Sequence, residues 1–287
     1  MEGGMMARAA VDWLWNWEEI YDGRLRAMQR DYSIDDWTER AEDYSERRKT
    51  NQYEFGENVY AALASHDVVG SASRVIEVGS GPGTFVIPFS KHTGHMTAVE
   101  PAEGMIRVIR ENAQEAGIQN YDIINRIWQD VSIPEIRGKY DLVITSTVIW
   151  MFRDIMQQIG RMEEVTRGHC CVVEGIDGTD ALGKKIWHSV MGEAPYPPYP
   201  GYPIIFNLLY QNGRIPQVRI VEAKSRRSTE KLMKMYKVFY SLYTEFTPEV
   251  EETIRSALLA DSVNGIHEGT YRSAVVWWDP KEHREMI

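Results

Sequence analysis

Residues 75–84 read Val-Ile-Glu-Val-Gly-Ser-Gly-Pro-Gly-Thr, an apolar run that ends in three alternating glycines, Gly79, Gly81 and Gly83. Glu77 stands two residues before the first of them. Glu100 stands 21 residues after it, at the end of the next apolar run. Glycines at such a place let the chain turn sharply and bring its backbone against a ligand, because no Cβ intervenes. A carboxylate at the tip of a second strand can accept hydrogen bonds from both hydroxyls of a ribose. Types and spacing together suit a loop that holds a nucleoside.

The pattern is not that of a dinucleotide site, which reads G-x-G-x-x-G and aims a helix N-terminus at a pyrophosphate. Here the third glycine comes one residue early, at Gly83, and Thr84 stands in its place. Pro82 removes one backbone N–H from any phosphate cradle. No lysine follows in the phosphate-loop pattern. Glu77 adds a negative charge, poor for a pyrophosphate and good for an ammonium. S-adenosylmethionine has an ammonium, a ribose and no phosphate. The segment Glu77-Val78-Gly79-Ser80-Gly81-Pro82-Gly83 resembles the first motif of class I S-adenosylmethionine-dependent methyltransferases. Ala98-Val99-Glu100-Pro101-Ala102-Glu103-Gly104-Met105 resembles their second.

That resemblance implies a set of cofactor contacts. Gly79, Ser80 and Gly81 would face the amino-acid part, with Glu77 near its ammonium, and Gly83 would complete the cofactor loop. Glu100 would hold the ribose, with Pro101 and Met105 along the adenine. Asp130 would accept from the adenine amino group while Val131 packs on the ring. Thr145, Ser146 and Thr147, after the fourth strand, would line the pocket floor. Tyr44 resembles the N-terminal aromatic that covers the cofactor in small-molecule members of the family. The acceptor side is expected from Trp150 and from Tyr199 and Tyr202, which lie near Tyr196 and Tyr210 in a segment rich in proline and tyrosine. The cofactor expected is S-adenosyl-L-methionine, its product S-adenosyl-L-homocysteine.

Methyl transfer from a sulfonium is an in-line displacement. Positioning alone is worth up to ~7–11 kcal/mol in favourable cases, so no catalytic dyad is required. His188 and Glu174 are available bases, but neither is assigned a catalytic role. The Asn/Asp-Pro-Pro motif of nucleobase amino-methyltransferases does not occupy its place after the fourth strand, where Thr145-Ser146-Thr147-Val148 stands. The Pro-Cys nucleophile, the double-glutamate loop and the metal acids of other branches are not recognisable. A small-molecule acceptor is the leading expectation. A protein side chain, a non-catalytic cofactor-binding module and an NAD-dependent oxidoreductase are the alternatives.

These residues need a frame. Apolar strand runs at about 74–79, 95–100, 121–126, 140–146 and 169–174 alternate with helical stretches. A further strand follows at about 217–222 and a last one at 270–278. Continuous apolar strands with helices between them argue for a parallel sheet covered on both faces. The expected fold is α/β: a doubly wound, mostly parallel seven-stranded sheet with an antiparallel last strand. Residues 1–70 read as an N-terminal helical cap, its second helix capped by Asp36. Residues 71–287 read as a Rossmann-like domain with a helical lid insertion at about 181–213, in which the 194–203 loop would gate the acceptor.

Composition sets the outer limits. At 287 residues, with 43% hydrophobic and 26% charged residues, the chain has an ordinary globular balance. The formal net charge of −10 disfavours a nucleic-acid partner. The basic runs Arg47-Arg48-Lys49 and Lys224-Ser225-Arg226-Arg227 read as solvated faces. Cys170 and Cys171 are adjacent, a poor geometry for a disulfide, and read as core residues in a reducing compartment. No metal-ligand spacing is present. No 18-residue apolar run occurs, and residues 1–10 lack a signal pattern. A cytoplasmic protein without a membrane partner is expected.

Overall fold

The structure is a computed structural model that describes residues 11–176 and 181–283. The first ten residues, read above for a signal pattern, lie outside that range. Three helices come first: α1 (Trp13–Ala27), α2 (Ile34–Thr50) and α3 (Glu54–Ala64). Strands and helices then alternate through β1 (Arg74–Val78), α4 (Val86–Ser90), β2 (His95–Val99), α5 (Glu103–Glu115), β3 (Tyr121–Ile124), α6 (Ile133–Ile136), β4 (Tyr140–Ser146), α7 (Ile155–Val165) and β5 (Thr166–Gly175). The rest of the described chain is α8 (Ala181–Met191), α9 (Tyr202–Gln211), β6 (Gln217–Ser228), α10 (Thr229–Tyr240), α11 (Pro248–Asp261) and β7 (Ile266–Trp278).

The strands form one sheet of order β3-β2-β1-β4-β5-β7-β6. β1 to β5 pair in parallel, and β7 runs antiparallel between β5 and β6. This is the doubly wound sheet the sequence predicts, with its antiparallel last strand. Val75, Ile76 and Val78 of β1, Leu142 to Ile144 of β4 and Cys170 to Val173 of β5 are buried because helices cover both faces. The winding direction reverses between β1 and β4, which opens a crevice beyond their carboxyl ends. β6 and β7 are longer than expected. Their outer halves pair as a ribbon in which Arg226 faces Glu268, with Nε 2.9 Å from Oε1. Arg226 stays exposed in that cross-strand pair, as a solvated face predicts, while Arg227 turns in and donates to Met235 Sδ at 3.3 Å.

The 1–70 region does not pack as one cap. Phe55, Val59 and Leu63 of α3 join the core on one face of the sheet, so only α1 and α2 stand over the strand ends. Asp12 caps α1 by accepting from the Leu14 and Trp15 amides. α2 starts with a capping box in which Ser33 is the N-cap and Asp36 the third residue, so Asp36 is not the cap itself. Arg30 grips Asp36 through both oxygens at 2.7 and 2.8 Å and holds its carboxyl down to about 2. The turn between α1 and α2 is thus braced.

The 181–213 segment is packed into the molecule. Ile186 and Trp187 of α8 join Leu232, Tyr240, Tyr243, Ile254 and Leu258 in a lobe built with α10 and α11. Ile205, Leu208 and Leu209 of α9 pack under the sheet with Trp17 and Val172.

Candidate active site

Each glycine of the 79–83 loop has a positive φ, of 71°, 52° and 86° in order, a conformation that favours glycine. Their roles differ. A Cβ at Gly79 would stand 2.6 Å from the Val148 side chain, so this glycine lets β1 turn beneath the loop after β4. A Cβ at Gly81 would meet nothing within 4 Å and would project into open space. A Cβ at Gly83 would touch Ile87 and Ile109 at 3.4 Å, so Gly83 seats α4 against α5 and does not reach the cavity. The loop wraps over the end of β2: Gly79 N and Ser80 N both donate to the Val99 carbonyl, at 2.9 and 3.1 Å.

Glu100 follows that carbonyl. Its Oε2 accepts from Gly81 N at 2.8 Å and its Oε1 from Ala102 N at 2.9 Å. It thereby ties the glycine loop to the start of α5. Burial pushes its carboxyl up to about 7, against the pull of those two amides. Glu77, on β1, is more deeply buried. Burial, and then the charge of Glu100, raise its pKa well above the usual carboxylate value, while donors from Ser80 and the Val86 amide act the other way. Its Oε2 is buried without a hydrogen-bond partner. A buried acceptor left unmatched is costly, and this one lies on the wall of a cavity.

That cavity, of about 590 Å³, opens beyond the ends of β1, β2 and β4. Its opposite wall comes from α1 and α2. Trp17 of α1 is buried and donates from Nε1 to the Phe152 carbonyl at 2.8 Å. Two turns further along α1, Arg24 lies over the Trp150 indole with its guanidinium carbon 3.7 Å from the ring centroid. α2 crosses α5 where Gly104 leaves room: a Cβ there would stand 2.6 Å from the Thr38 carbonyl. This crossing lays Trp37, Arg40, Tyr44 and Arg48 along the cavity. Arg40 donates to the Tyr44 hydroxyl, and Arg48 donates to Thr84 Oγ1 at 3.0 Å. Arg48 therefore turns inward, against its reading as part of a solvated face.

Most residues expected at the cofactor line this cavity: Tyr44, Glu77, Gly79, Ser80, Gly81, Glu100, Pro101, Met105 and Ser146, with Trp150 on the acceptor side. Others do not. Thr145 is buried and donates to the Val78 carbonyl at 2.9 Å, bridging β4 to β1. Val131 packs into the core, because Arg161 holds the carbonyls of Trp128 and Val131 at 2.8 and 2.9 Å and fixes that turn. Asp130 lies exposed just outside the wall that Ile127 and Gln129 form. Tyr202 packs partly on the core beneath the sheet.

Tyr199 is also off the cavity wall. Its hydroxyl donates to Glu174 Oε2 at 2.8 Å, and its ring lies 5.6 Å from the Arg24 guanidinium. Burial pushes Glu174 up to about 8. Tyr196 meets Trp187 edge-on and stacks on Phe239. No described residue of 181–213 lines the cavity, so the covering wall is α1 and α2 rather than the 194–203 loop. His188 is exposed on α8, 4.0 Å from Glu193. Sequence reasoning missed Arg24, Tyr32 and Arg40. For Arg40 a signal existed: it follows Trp37 by three residues and precedes Tyr44 by four, the spacing of one helix face.

Cys170 and Cys171 are both buried and unpaired. Among the described residues, no helix is long and apolar enough to cross a membrane.

Comparison with known proteins agrees with this geometry. Residues 75–168 match the family model described as "Methyltransferase domain". An uncharacterised protein of Haemophilus influenzae is 22% identical over 279 residues, covering 92% of this chain and 96% of that protein. The YcgJ protein of Bacillus subtilis has a similar fold, with a TM-score of 0.52 at 13% identity over 79% of this chain and 99% of its own. A Bacillus halodurans C-125 protein described as a candidate methyltransferase gives 0.51 at 12% identity, over 76% of this chain and 97% of its own. The matched segment carries the strands, the glycine loop and the strand-end acids that build the cavity, so residues 75–168 are similar to a methyltransferase domain and the sheet around them has the fold of these solved structures.

Proposed function

We propose that the protein methylates a small-molecule acceptor that enters the cavity beside the glycine loop. The observation that carries this reading is the enclosure of the strand-end cavity by α1 and α2, with aromatic rings facing inward. Its volume of about 590 Å³ falls within the ~300–1,000 Å³ typical of small-ligand sites. In this reading the unpartnered Oε2 of Glu77 accepts from the ammonium of the donor, and Glu100 accepts from its ribose. Gly79, Ser80 and Gly81 bring backbone close to it, and Tyr44 and Met105 cover it. Asp130 takes the adenine amino group at the rim, with Ile127 rather than Val131 as its apolar neighbour. When bound, S-adenosylmethionine supplies a methyl group on a sulfonium, which an acceptor lone pair takes as the C–S electron pair returns to sulfur. The protein's part is to align the two and keep water out.

Two buried, unpaired cysteines support a reducing, cytoplasmic setting, and the net charge of −10 supports an acceptor other than nucleic acid. The test is incubation with methyl-labelled cofactor and a low-mass metabolite extract, followed by mass spectrometry. Label in small molecules that Glu100→Gln sharply reduces at limiting cofactor is the expected result. Label found only on protein would overturn the reading.

A further inference from the structure

The cavity wall facing the glycine loop holds more positive charge than the donor needs. Four rings form a strip along it. Trp150 meets Tyr32 edge-on at 5.5 Å between centroids, Tyr32 stacks on Trp37 at 5.2 Å, and Trp37 meets Tyr44 edge-on at 6.5 Å. An arginine stands at each end. Arg24 lies on Trp150, and Arg40 lies 4.9 Å from the Trp37 centroid and 4.7 Å from that of Tyr44. Both have a buried Nε without a hydrogen-bond partner. Arg30, Arg153, Arg167 and Arg214 each grip a carboxylate. Arg24 and Arg40 form no ion pair with any described carboxylate.

A methyl donor of this kind carries one carboxylate. Arg48, bonded to Thr84 beside the glycine loop, and Arg40, bonded to Tyr44, both come from α2 and stand on the donor's side. Arg24 comes from α1 and is placed by Trp150, beyond β4. Glu174 is the acid that faces it: its Oε2 accepts from the Tyr199 hydroxyl, its Oε1 has no hydrogen-bond partner, and burial keeps the carboxyl protonated up to about 8 in spite of Arg24, so it supplies no full counter-charge at neutral pH. Stacking leaves the edge of a guanidinium free, and that edge matches a carboxylate or phosphate two bonds at a time. A partly buried charge with no counter-charge is unfavourable, so an anion from outside would complete the site.

We propose that the acceptor is a small anion, with a carboxylate or phosphate group held by Arg24 and a flat, apolar body lying along the Trp150–Tyr32–Trp37 strip. The inference rests on the reading of small-molecule methyl transfer. The test separates a metabolite extract by anion exchange and incubates each fraction with the protein and methyl-labelled S-adenosylmethionine. The expected result is label in the retained, anionic fraction. Arg24→Gln should then raise the amount of that fraction needed for half-maximal rate by ~10–100-fold and leave S-adenosylhomocysteine affinity within about twofold, because Arg24 is held on Trp150 beyond β4 and away from the donor's side of the cavity. Arg24→Lys should recover part of the loss. Benzoate and phenyl phosphate as competitors tell the two anions apart, and benzamide should not compete. Label confined to the unretained fraction overturns the inference while small-molecule transfer stands. Label in no fraction, with S-adenosylhomocysteine still bound, sinks that underlying reading and this one with it. Unchanged kinetics in Arg24→Gln, or a loss confined to S-adenosylhomocysteine affinity, assigns Arg24 elsewhere and also overturns the inference.

Discussion

Glu77 and Glu100 are two acids on one wall, and in the free protein both resist ionisation. Glu100 holds its proton up to about 7 and Glu77 is raised as well, because burial removes the water that would solvate their charges. A ribose hydroxyl and an ammonium both favour the ionised form. Binding therefore has to release protons whenever the pH lies below the free-protein value. Affinity for S-adenosylhomocysteine should rise from pH 6 to pH 8, by as much as ~10-fold per unit for each proton released. Titration calorimetry in buffers of different ionisation enthalpy would count those protons, and an affinity that is flat or falls across this range contradicts the roles given to the pair. Glu100→Gln is the informative variant. Its amide carbonyl can still accept from one of the Gly81 and Ala102 amides, where alanine would leave both without a partner. It should weaken S-adenosylhomocysteine by ~10–100-fold, the worth of one or two charge-assisted bonds, and flatten much of the pH profile.

At the scale of elements, the site depends on how two N-terminal helices are held over the strand ends. α2 rests on α5 through Gly104, with Thr38 filling the space a side chain would need. Gly104→Val should push α2 off α5, at about 1–3 kcal/mol for overpacking. Melting should fall by a few degrees. Affinity for S-adenosylhomocysteine should fall more than that destabilisation alone explains, because Tyr44, Arg40 and Arg48 move with the helix. Thermal melts with and without the ligand measure both effects, and a variant that melts lower yet binds normally would separate α2 from the site. The glycine loop and Glu100 were legible in the sequence because their cause is local: a strand running into glycines, and a carboxylate at the next strand end. Trp37 and Tyr44, seven residues apart on α2, share a face that helical spacing shows, whereas Arg48 read as solvated because the Thr84 hydroxyl that draws it inward lies 36 residues away. What α1 presents was not, since Arg24 is aimed by the bond from Trp17 to the Phe152 carbonyl, 135 residues away. The 194–203 segment looked like a lid because its prolines and tyrosines suit one. Its tyrosines are held instead by Trp187, Phe239 and Glu174, contacts with no trace in local spacing. Val131 was misplaced for a similar reason, because Arg161 fixes that turn from another helix.

Across the whole molecule, the parallel sheet gathers buried carboxylates at one edge, and this gives stability a characteristic dependence on pH. Glu77 on β1, Glu100 after β2 and Glu174 on β5 all have raised pKa values, with Glu100 at about 7 and Glu174 at about 8. In the unfolded chain a glutamate ionises near ~4.3. Between that value and about 8 the folded protein binds more protons than the unfolded chain, so unfolding free energy falls as pH rises. The contribution of these groups is complete below the unfolded value and is lost as pH passes the folded ones. Asp36 and Asp141 have lowered values, the first at about 2, so they stay ionised throughout this window and add no slope. The ligand-free protein should therefore melt at progressively lower temperature from pH 5.5 to pH 8.5. S-adenosylhomocysteine should lessen the decline, because it favours the ionised forms of Glu77 and Glu100. It does not touch Glu174, whose partner is Tyr199. Glu174→Gln keeps an acceptor for that hydroxyl and removes the ionisation, so it should flatten the upper part of the curve, from about pH 7 to 8.5, and leave the lower part unchanged. Melting curves of the native chain and Glu174→Gln at half-unit intervals decide the matter, and a native melting temperature that climbs with pH would mean that these acids are ionised in the fold after all.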